Sequence, residues 1–225
     1  MDIEILYRPS YSLAVIRLGP HEEVRVESGS MVSMSRSVAI QTQATGGLLK
    51  SLAQSTLGGE GYGPNSFRAG ASGGEITVAP VLPGDLEVLE LRDNAVLVQS
   101  GSFVAADMSL QIDTTWGGAK AFFGAQGLIM LRVSGTGKLV VSAYGAIHRQ
   151  DLADGEVYTV DSGHLVAFGA EMRFKVRPVG RMKSLFLSGE GLVVDISGPG
   201  SAVVQTRSVD ALIAWLASRL PARRD

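Results

Sequence analysis

The stretch Val98-Gln99-Ser100-Gly101-Ser102-Phe103-Val104 decides the fold, because the chain contains two close matches to it. The matches are Val26-Glu27-Ser28-Gly29-Ser30-Met31-Val32 and Val160-Asp161-Ser162-Gly163-His164-Leu165-Val166. Their common signature is Val, any residue, Ser, Gly, Ser or His, an apolar residue and Val. Self-similarity of this kind at long spacing is typical of a repeat architecture.

A second glycine-rich motif follows each copy of the signature. The three motifs are Ser72-Gly73-Gly74-Glu75-Ile76, Ser134-Gly135-Thr136-Gly137-Lys138-Leu139 and Ser197-Gly198-Pro199-Gly200-Ser201-Ala202. Ser100 to Ser134 is 34 residues and Ser162 to Ser197 is 35, whereas Ser28 to Ser72 is 44. We interpret both motifs as hairpin turns, and the extra length of the first repeat as an insertion between residues 45 and 64.

Short apolar or alternating runs fill the space between the motifs, and they predict strands. Examples are Asp85 to Leu91, Leu128 to Val133, Lys138 to Val141 and Leu192 to Ile196. Only the C-terminus has a helical pattern, with Ser208 as the N-cap and a stripe of Ala211, Leu212, Trp215, Leu216 and Leu220. We expect this helix to cover an open sheet edge or face.

These patterns predict an all-β fold of mainly antiparallel sheets, made of three tandem β repeats about a pseudo-threefold axis, with a C-terminal helix. Residues 1–207 form one globular β domain with repeats at about 1–81, 82–145 and 146–207, and residues 208–225 form the helix and a short tail. Related edges that recur on the outside favour a homo-oligomer, a trimer or a multiple of one.

Composition limits the possible functions. The 225 residues carry a formal net charge of −2 and include 28 Gly and no Cys, which excludes disulfides and thiolate chemistry. Such a charge gives no overall attraction to nucleic acid, and the basic run Arg173, Lys175 and Arg177 is also typical of a solvated strand face. The acidic N-terminus lacks a signal peptide, so we expect a cytoplasmic protein. The charge balance does not favour nucleic acid as a partner.

The insertion is the best candidate for an interaction surface, because it is where the repeats differ. Its apolar side chains are Leu48, Leu49, Leu52, Leu57 and Tyr62. They can contact a subunit, a peripheral membrane surface or a protein partner, or they can pack within the fold.

One polar group invites a catalytic interpretation. Asp161 and His164 belong to the third signature, and Glu190 precedes the third glycine-rich motif. The same turn occurs twice more without His or Asp, so we favour a structural role for it. The histidines lie at no spacing that suggests a metal site, and we predict no enzyme activity, metal or cofactor.

The motifs also carry a family resemblance. The signatures at 99–105 and 160–168, Gly189-Glu190-Gly191-Leu192-Val193, and Ser197 to Gly200 followed by Gln205 to Ser208 resemble those of the altered-inheritance-of-mitochondria (mitochondrial biogenesis) family. The resemblance spans about residues 1 to 208, although residues 59–64 are richer in glycine than it implies.

This resemblance implies tandem copies of a β fold like that of the tryptophan RNA-binding attenuation protein, usually in an oligomer, with no established active site. Fold similarity to an RNA-binding protein does not confer RNA binding. We therefore expect a non-enzymatic oligomeric scaffold or assembly protein, with a link to membrane organisation. The alternative is a module that binds a ligand or RNA in clefts between repeats.

Overall fold

The computed structural model describes residues 1–41, 64–113, 129–179 and 192–220. In these ranges the regular structure is almost entirely β, and all named strands pair antiparallel. One α-helix, α1, spans Val209–Ala217. The predicted class, all-β with mainly antiparallel sheets and a C-terminal helix, is confirmed.

The strands are named in chain order. The first segment contains β1 Asp2–Leu6, β2 Leu13–Leu18, β3 Glu23–Val26, β4 Met31–Met34, β5 Val38–Gln41, β6 Asn65–Ala69 and β7 Gly74–Val78. The second contains β8 Gly84–Gln99, β9 Phe103–Asp107, β10 Gln111–Asp113 and β11 Met130–Tyr144. The third contains β12 Ile147–Leu152, β13 Val157–Asp161, β14 Leu165–Gly169, β15 Arg173–Pro178, β16 Leu192–Ser197 and β17 Gly200–Gln205.

Strand pairing follows the same scheme in each segment. In the first segment, β2 pairs with β7 and β3 pairs with β6, which makes a two-stranded ribbon. β4 then pairs with the free side of β7, and β5 with the free side of β6. In the second, β8 and β11 form the ribbon and β9 and β10 add to β11. In the third, β12 and β13 pair with β17 and β16, to which β14 and β15 add. The threefold axis, the domain bounds and the likeness to the attenuation protein stay predictions.

The interpretation of the two motifs as hairpin turns is wrong. Strands on either side of a motif do not pair with each other: β6 pairs with β3 and β5, whereas β7 pairs with β2 and β4. In the second segment the glycine-rich motif lies inside β11, with a register shift between Gly135 and Thr136. In the first and third segments both motifs are therefore corners at which the chain passes from one sheet to another, whereas in the second segment the flanking strands stay in the ten-stranded sheet. Gly135, at φ 120°, adopts a backbone conformation that other residues resist, and a corner needs this freedom as much as a hairpin does.

The last Val of each signature is a bulge residue. In β4, Met31 lies opposite Val78 and Ser33 opposite Thr77, so Val32 has no partner on β7. Val104 is skipped in the same way where β9 pairs with β11, and Val166 where β14 pairs with β17. In a regular strand, successive side chains point to opposite faces of the sheet, and a bulge interrupts this alternation. The alternation of apolar and polar residues in the sequence therefore does not predict which face the three valines occupy.

The sheets join neighbouring segments. A ten-stranded sheet has the order β12-β17-β14-β8-β11-β9-β3-β6-β5, with β10 on β11. A four-stranded sheet has the order β1-β2-β7-β4, and a three-stranded sheet has the order β13-β16-β15. In the described part of the chain, β4 and β13 are thus edge strands of two separate small sheets.

Three apolar clusters form the core of the described residues, one for each segment. Two of these clusters also contain residues of the segment that follows. The first cluster, which holds Val24 and Val26, includes Val104 and Ala105 of the second segment. The second, which holds Val98 and Leu131, includes Val166 and Ala167 of the third. At these two junctions, residues of the following segment's signature therefore form part of the core of the preceding segment.

Helix α1 begins as the sequence predicts, but it does not cover a sheet. Ser208 is the N-cap, and its hydroxyl accepts a hydrogen bond of 3.4 Å from the amide of Ala211. None of the helix residues is buried. The predicted packing of the helix is wrong, because an amphipathic stripe has the same pattern whether or not a partner covers it.

Candidate interaction surface

The predicted interaction surface, Leu48, Leu49, Leu52, Leu57 and Tyr62, lies outside the described residues. Its role in binding stays a prediction. Glu190, the third member of the predicted polar cluster, also lies outside them.

The two described members of the polar cluster serve the turn in which they lie. A carboxylate oxygen of Asp161 accepts a hydrogen bond of 2.8 Å from the amide of Gly163. Nδ1 of His164 donates to the carbonyl oxygen of Gln205 at 2.7 Å. Both groups bind main-chain atoms, and the structural role favoured for them stays a prediction. In residues 1–41, 64–113, 129–179 and 192–220, no group of three His, Cys, Asp or Glu residues could hold a metal ion.

Gln205, which the sequence singles out only as part of a family motif, connects the second and third segments. Its Oε1 accepts a hydrogen bond of 2.8 Å from the amide of Tyr144, and its Nε2 donates to the carbonyl of Gly163 at 2.9 Å. The side chain is buried. Gln205 therefore fixes the third signature turn against the end of β11.

Asp85 is a buried carboxylate in a strand where alternation predicts an exposed position. It accepts hydrogen bonds from Arg8 Nε and Nη2, from the Ser12 hydroxyl and from the Leu86 amide, each at 2.8 to 2.9 Å. Burial acts to raise the pKa of Asp85, but the bonds from Arg8 and Ser12 outweigh it and hold the pKa below its ordinary value. This site ties the loop after β1 to the start of β8.

A second, partly buried carboxylate lies where the first and second segments meet. Burial raises the pKa of Glu27 to about 7, and the Ser30 hydroxyl, which donates to it at 3.2 Å, offsets part of this effect. The amide of Glu27 donates to the carbonyl of Val104 at 2.8 Å. The same contact region holds Arg25, whose Nη1 donates to the carbonyl of Leu110 at 3.2 Å.

Two sheet junctions connect the three segments, and they share one register. Where β3 pairs with β9, Val26 lies opposite Ala105 and Arg25 opposite Ala106. Where β8 pairs with β14, the equivalent signature residues, Val98 and Ala167, again lie opposite each other. The strand before one signature thus pairs with the strand after the next signature, in both places.

Among the described residues a third pairing of this kind is missing; β4 is exposed along its whole length and β13 in part. β4 follows the first signature and β13 precedes the third. Val32 in β4 is 58% exposed, whereas its equivalents Val104 and Val166 are 0% exposed. Met31, Met34 and Val157 are also exposed. We call β4 and β13 the open edges.

Helix α1 supplies a second exposed apolar surface. Its exposed side chains, together with that of Leu220 just beyond it, are Ile213, Trp215, Leu216 and Leu220. The Arg219 guanidinium lies 4.2 Å from the centre of the Trp215 ring. In the described ranges, no helix has the length and apolar character that crossing a membrane requires.

Comparison with known proteins assigns the chain to a family. The sequence profile of the mitochondrial biogenesis AIM24 family matches residues 3–207, which include all of the strands from β2 to β17. The chain belongs to this family. The resemblance inferred from the motifs is thereby confirmed, and it ends just before α1.

Relatives of this AIM24-family chain include bacterial proteins. An uncharacterised protein of Streptococcus pyogenes is 27% identical over 219 residues, which are 94% of this chain and 88% of the relative. The crystal structure of a Streptococcus pyogenes protein superposes with a TM-score of 0.79 at 25% identity, and the match covers 97% of this chain and 99% of that one. The fold of the AIM24-family chain is thus shared by a protein whose structure was solved by X-ray crystallography.

Proposed function

We propose that this protein is a non-enzymatic scaffold that works as a homo-oligomer and contacts a membrane surface through helix α1. The observation that carries the proposal is the exposure of β4. Its signature valine and both methionines face solvent, although the equivalent residues of β9 and β14 lie in the core. Apolar side chains at an unpaired sheet edge favour association with another chain.

The membrane contact is supported by the composition of α1. Ile213, Trp215 and Leu216 are all exposed on this helix, and Arg219 covers one face of the Trp215 ring. Tryptophan is enriched at membrane interfaces, where an apolar ring and a polar edge are both accommodated. A helix of this length can lie on a membrane surface, and the AIM24 family description is consistent with a role in the biogenesis of a membrane-bounded organelle.

The alternative function, ligand or RNA binding in clefts between repeats, has weaker support in the described residues. Of the basic run on β15, Arg177 donates to both carboxylate oxygens of Asp195, at 2.6 and 3.0 Å. Because Arg177 is neutralised in this way, the run offers less positive charge to a phosphate backbone than the sequence suggests.

Light scattering on the full chain tests self-association. We expect a mass of at least three times 23.6 kDa at micromolar concentration, and a mass of one chain would overturn the proposal. Flotation with liposomes of mixed neutral and anionic lipids tests the membrane contact. Trp215→Glu should abolish flotation, whereas Val81→Glu, at an exposed loop position, should not. A salt-sensitive mobility shift with RNA and no flotation would favour the alternative.

A further inference from the structure

We propose that β4 of one copy pairs with β13 of a second copy, so that the chain assembles head to tail through its two open edges. The proposal rests on the self-association proposed above, and it names the strands and the register of the contact. A heterologous contact of this type closes into a ring when the rotation between copies permits it.

The two junctions inside the chain provide the template. In each, the Val that begins a signature lies opposite the residue after the last Val of the next signature, as Val26 lies opposite Ala105 and Val98 opposite Ala167. The equivalent residues of the open edges are Val160 in β13 and Ser33 in β4. The shared register therefore predicts Val160 opposite Ser33 and Thr159 opposite Met34.

Burial at the two template junctions shows what the open edges lack. Val104 packs in the core cluster of the first segment, and Val166 packs in that of the second. The cluster of the third segment contains Val160 and Val194 but no residue from a following signature. Val32 of a neighbouring copy would supply it, and its present exposure of 58% would fall toward the 0% of its equivalents.

A main-chain hydrogen bond at the first junction supports the same pairing of β4 with β13. The amide of Glu27 donates to the carbonyl of Val104 across the first junction, at 2.8 Å. The equivalent donor and acceptor at the open edges are the amide of Asp161 and the carbonyl of Val32. Soluble proteins protect free sheet edges with Lys, Pro or inward-pointing charges, and the residues of β4, Met-Val-Ser-Met, include none of these.

Pairing of β4 with β13 of the same chain is the competing arrangement. It would join the four-stranded and three-stranded sheets into one, yet these are separate sheets in the described part of the chain. A second copy can bring its β13 to β4 without any change in the fold of either chain. We therefore assign the contact to a second copy.

Disulfide trapping tests the contact directly, because the natural chain has no Cys. Residues opposite each other in an antiparallel pair have Cα atoms about 4.5 to 5.5 Å apart, within the range that a disulfide spans. Met34→Cys and Thr159→Cys proteins are mixed, oxidised and run on a non-reducing gel. A disulfide-linked dimer is expected in the mixture. The control is a mixture of Val81→Cys and Thr159→Cys proteins, in which a cysteine at an exposed loop position replaces the one in β4. This mixture should give at least about tenfold less disulfide-linked dimer.

The double variant, Met34→Cys with Thr159→Cys in one chain, separates the two arrangements. A ladder of linked chains supports the proposal, whereas a monomer with an internal disulfide overturns it. If light scattering shows an oligomer but neither experiment gives a cross-link between chains, the edge contact is wrong and the proposed scaffold function stands. If the chain is a monomer throughout, both are wrong.

Substitution of Val32 provides a test that does not depend on oxidation. Val32→Glu places a charge where the neighbouring core should receive an apolar side chain, and we expect the dissociation constant of the oligomer to rise at least about tenfold. Val81→Glu is the matched control. Since Val32 is exposed in the single chain, circular dichroism of the variant should match that of the wild type. An unchanged dissociation constant would overturn the proposal.

Discussion

The guanidinium of Arg8 donates two hydrogen bonds of 2.8 Å to the two carboxylate oxygens of Asp85, 77 residues further along the chain. This fork connects the loop after the first strand to the beginning of the long strand β8. The carboxylate is buried and takes further bonds from Ser12 and Leu86, whereas half of the Arg8 side chain is exposed. Asp85 is therefore the partner on which the connection depends.

Loss of the Asp85 charge should destabilise the fold. Asp85→Asn removes at least one charge-assisted bond from Arg8, and such bonds contribute about 1.5 to 3 kcal/mol each. We expect the free energy of unfolding in urea to fall by about 2 kcal/mol at pH 7. Glu90→Gln, which removes only an exposed contact to Arg92, should change it by less than about 0.5 kcal/mol. Equal effects of the two substitutions would contradict this assignment.

Glu27 should make stability depend on pH in the opposite direction from most carboxylates. Burial raises its pKa from the ordinary 4.5 to about 7 in the folded state, so between these values the folded chain holds a proton that the unfolded chain has released. Its contribution to stability is complete below pH 4.5 and is lost as the pH rises to about 7. Glu27→Gln should therefore remove this fall in unfolding free energy between pH 4.5 and 7, which is on the order of 3 kcal/mol.

Urea titrations at several pH values check this expectation. Glu171→Gln, at an exposed position, is the control and should leave the pH profile unchanged. The folded-state titration of Glu27 can also be followed directly by NMR of its side-chain carboxyl carbon. A Glu27→Gln protein with the same pH profile as the wild type would show that the carboxyl is not buried in solution.

Gly84 should tolerate no side chain. A Cβ at this position would lie 1.8 Å from the carbonyl oxygen of Ala143 and 2.8 Å from the amide nitrogen of Gly145, both of them main-chain atoms. We expect Gly84→Ala to lower the free energy of unfolding by about 3 kcal/mol or more, because the end of the β8–β11 ribbon must separate. Gly101→Ala is the matched control, since a Cβ there meets no atom within 4 Å. Its melting temperature should stay within about 2 °C of the wild type.

The three bulge valines should respond unequally to truncation. Val104→Ala and Val166→Ala remove buried methyl groups and should each cost about 2 kcal/mol of unfolding free energy. Val32→Ala should cost less than about 0.5 kcal/mol when the protein is dilute enough to be a single chain. At concentrations where the oligomer forms, the effect of Val32→Ala should approach that of the other two. A small, concentration-independent effect would indicate that Val32 remains in water.

The sequence predicted the strands, the helix and the family well, because each depends on local patterns. It failed where distant segments meet. Asp85 occupies a polar position of an alternating strand and is nevertheless buried, because Arg8 and Ser12 arrive from far away in the chain. The glycine-rich motifs predict hairpins, but glycine with a positive φ occurs in corners as well as in hairpins. Only the strands that pair on either side of a motif distinguish the two structures.

The candidate surfaces show the same limit. Alignment of the three signatures places Val32, Val104 and Val166 at one position, and nothing in their sequence context indicates that one of them is exposed. That difference arises because β9 and β14 pair with strands of the preceding segment, β3 and β8, whereas β4 pairs only with β7 in the described part of the chain. The helix at the C-terminus is similar, since its stripe is visible in the sequence and its lack of a covering partner is not.

The ribbon of β8 and β11, 16 and 15 residues long, spans the second segment, with a register shift between Gly135 and Thr136. It contributes Leu86 and Val140 to the core cluster of the first segment, and Leu97 and Met130 to that of the third. A deletion in the central third of the chain would therefore remove apolar packing from both neighbouring cores at once.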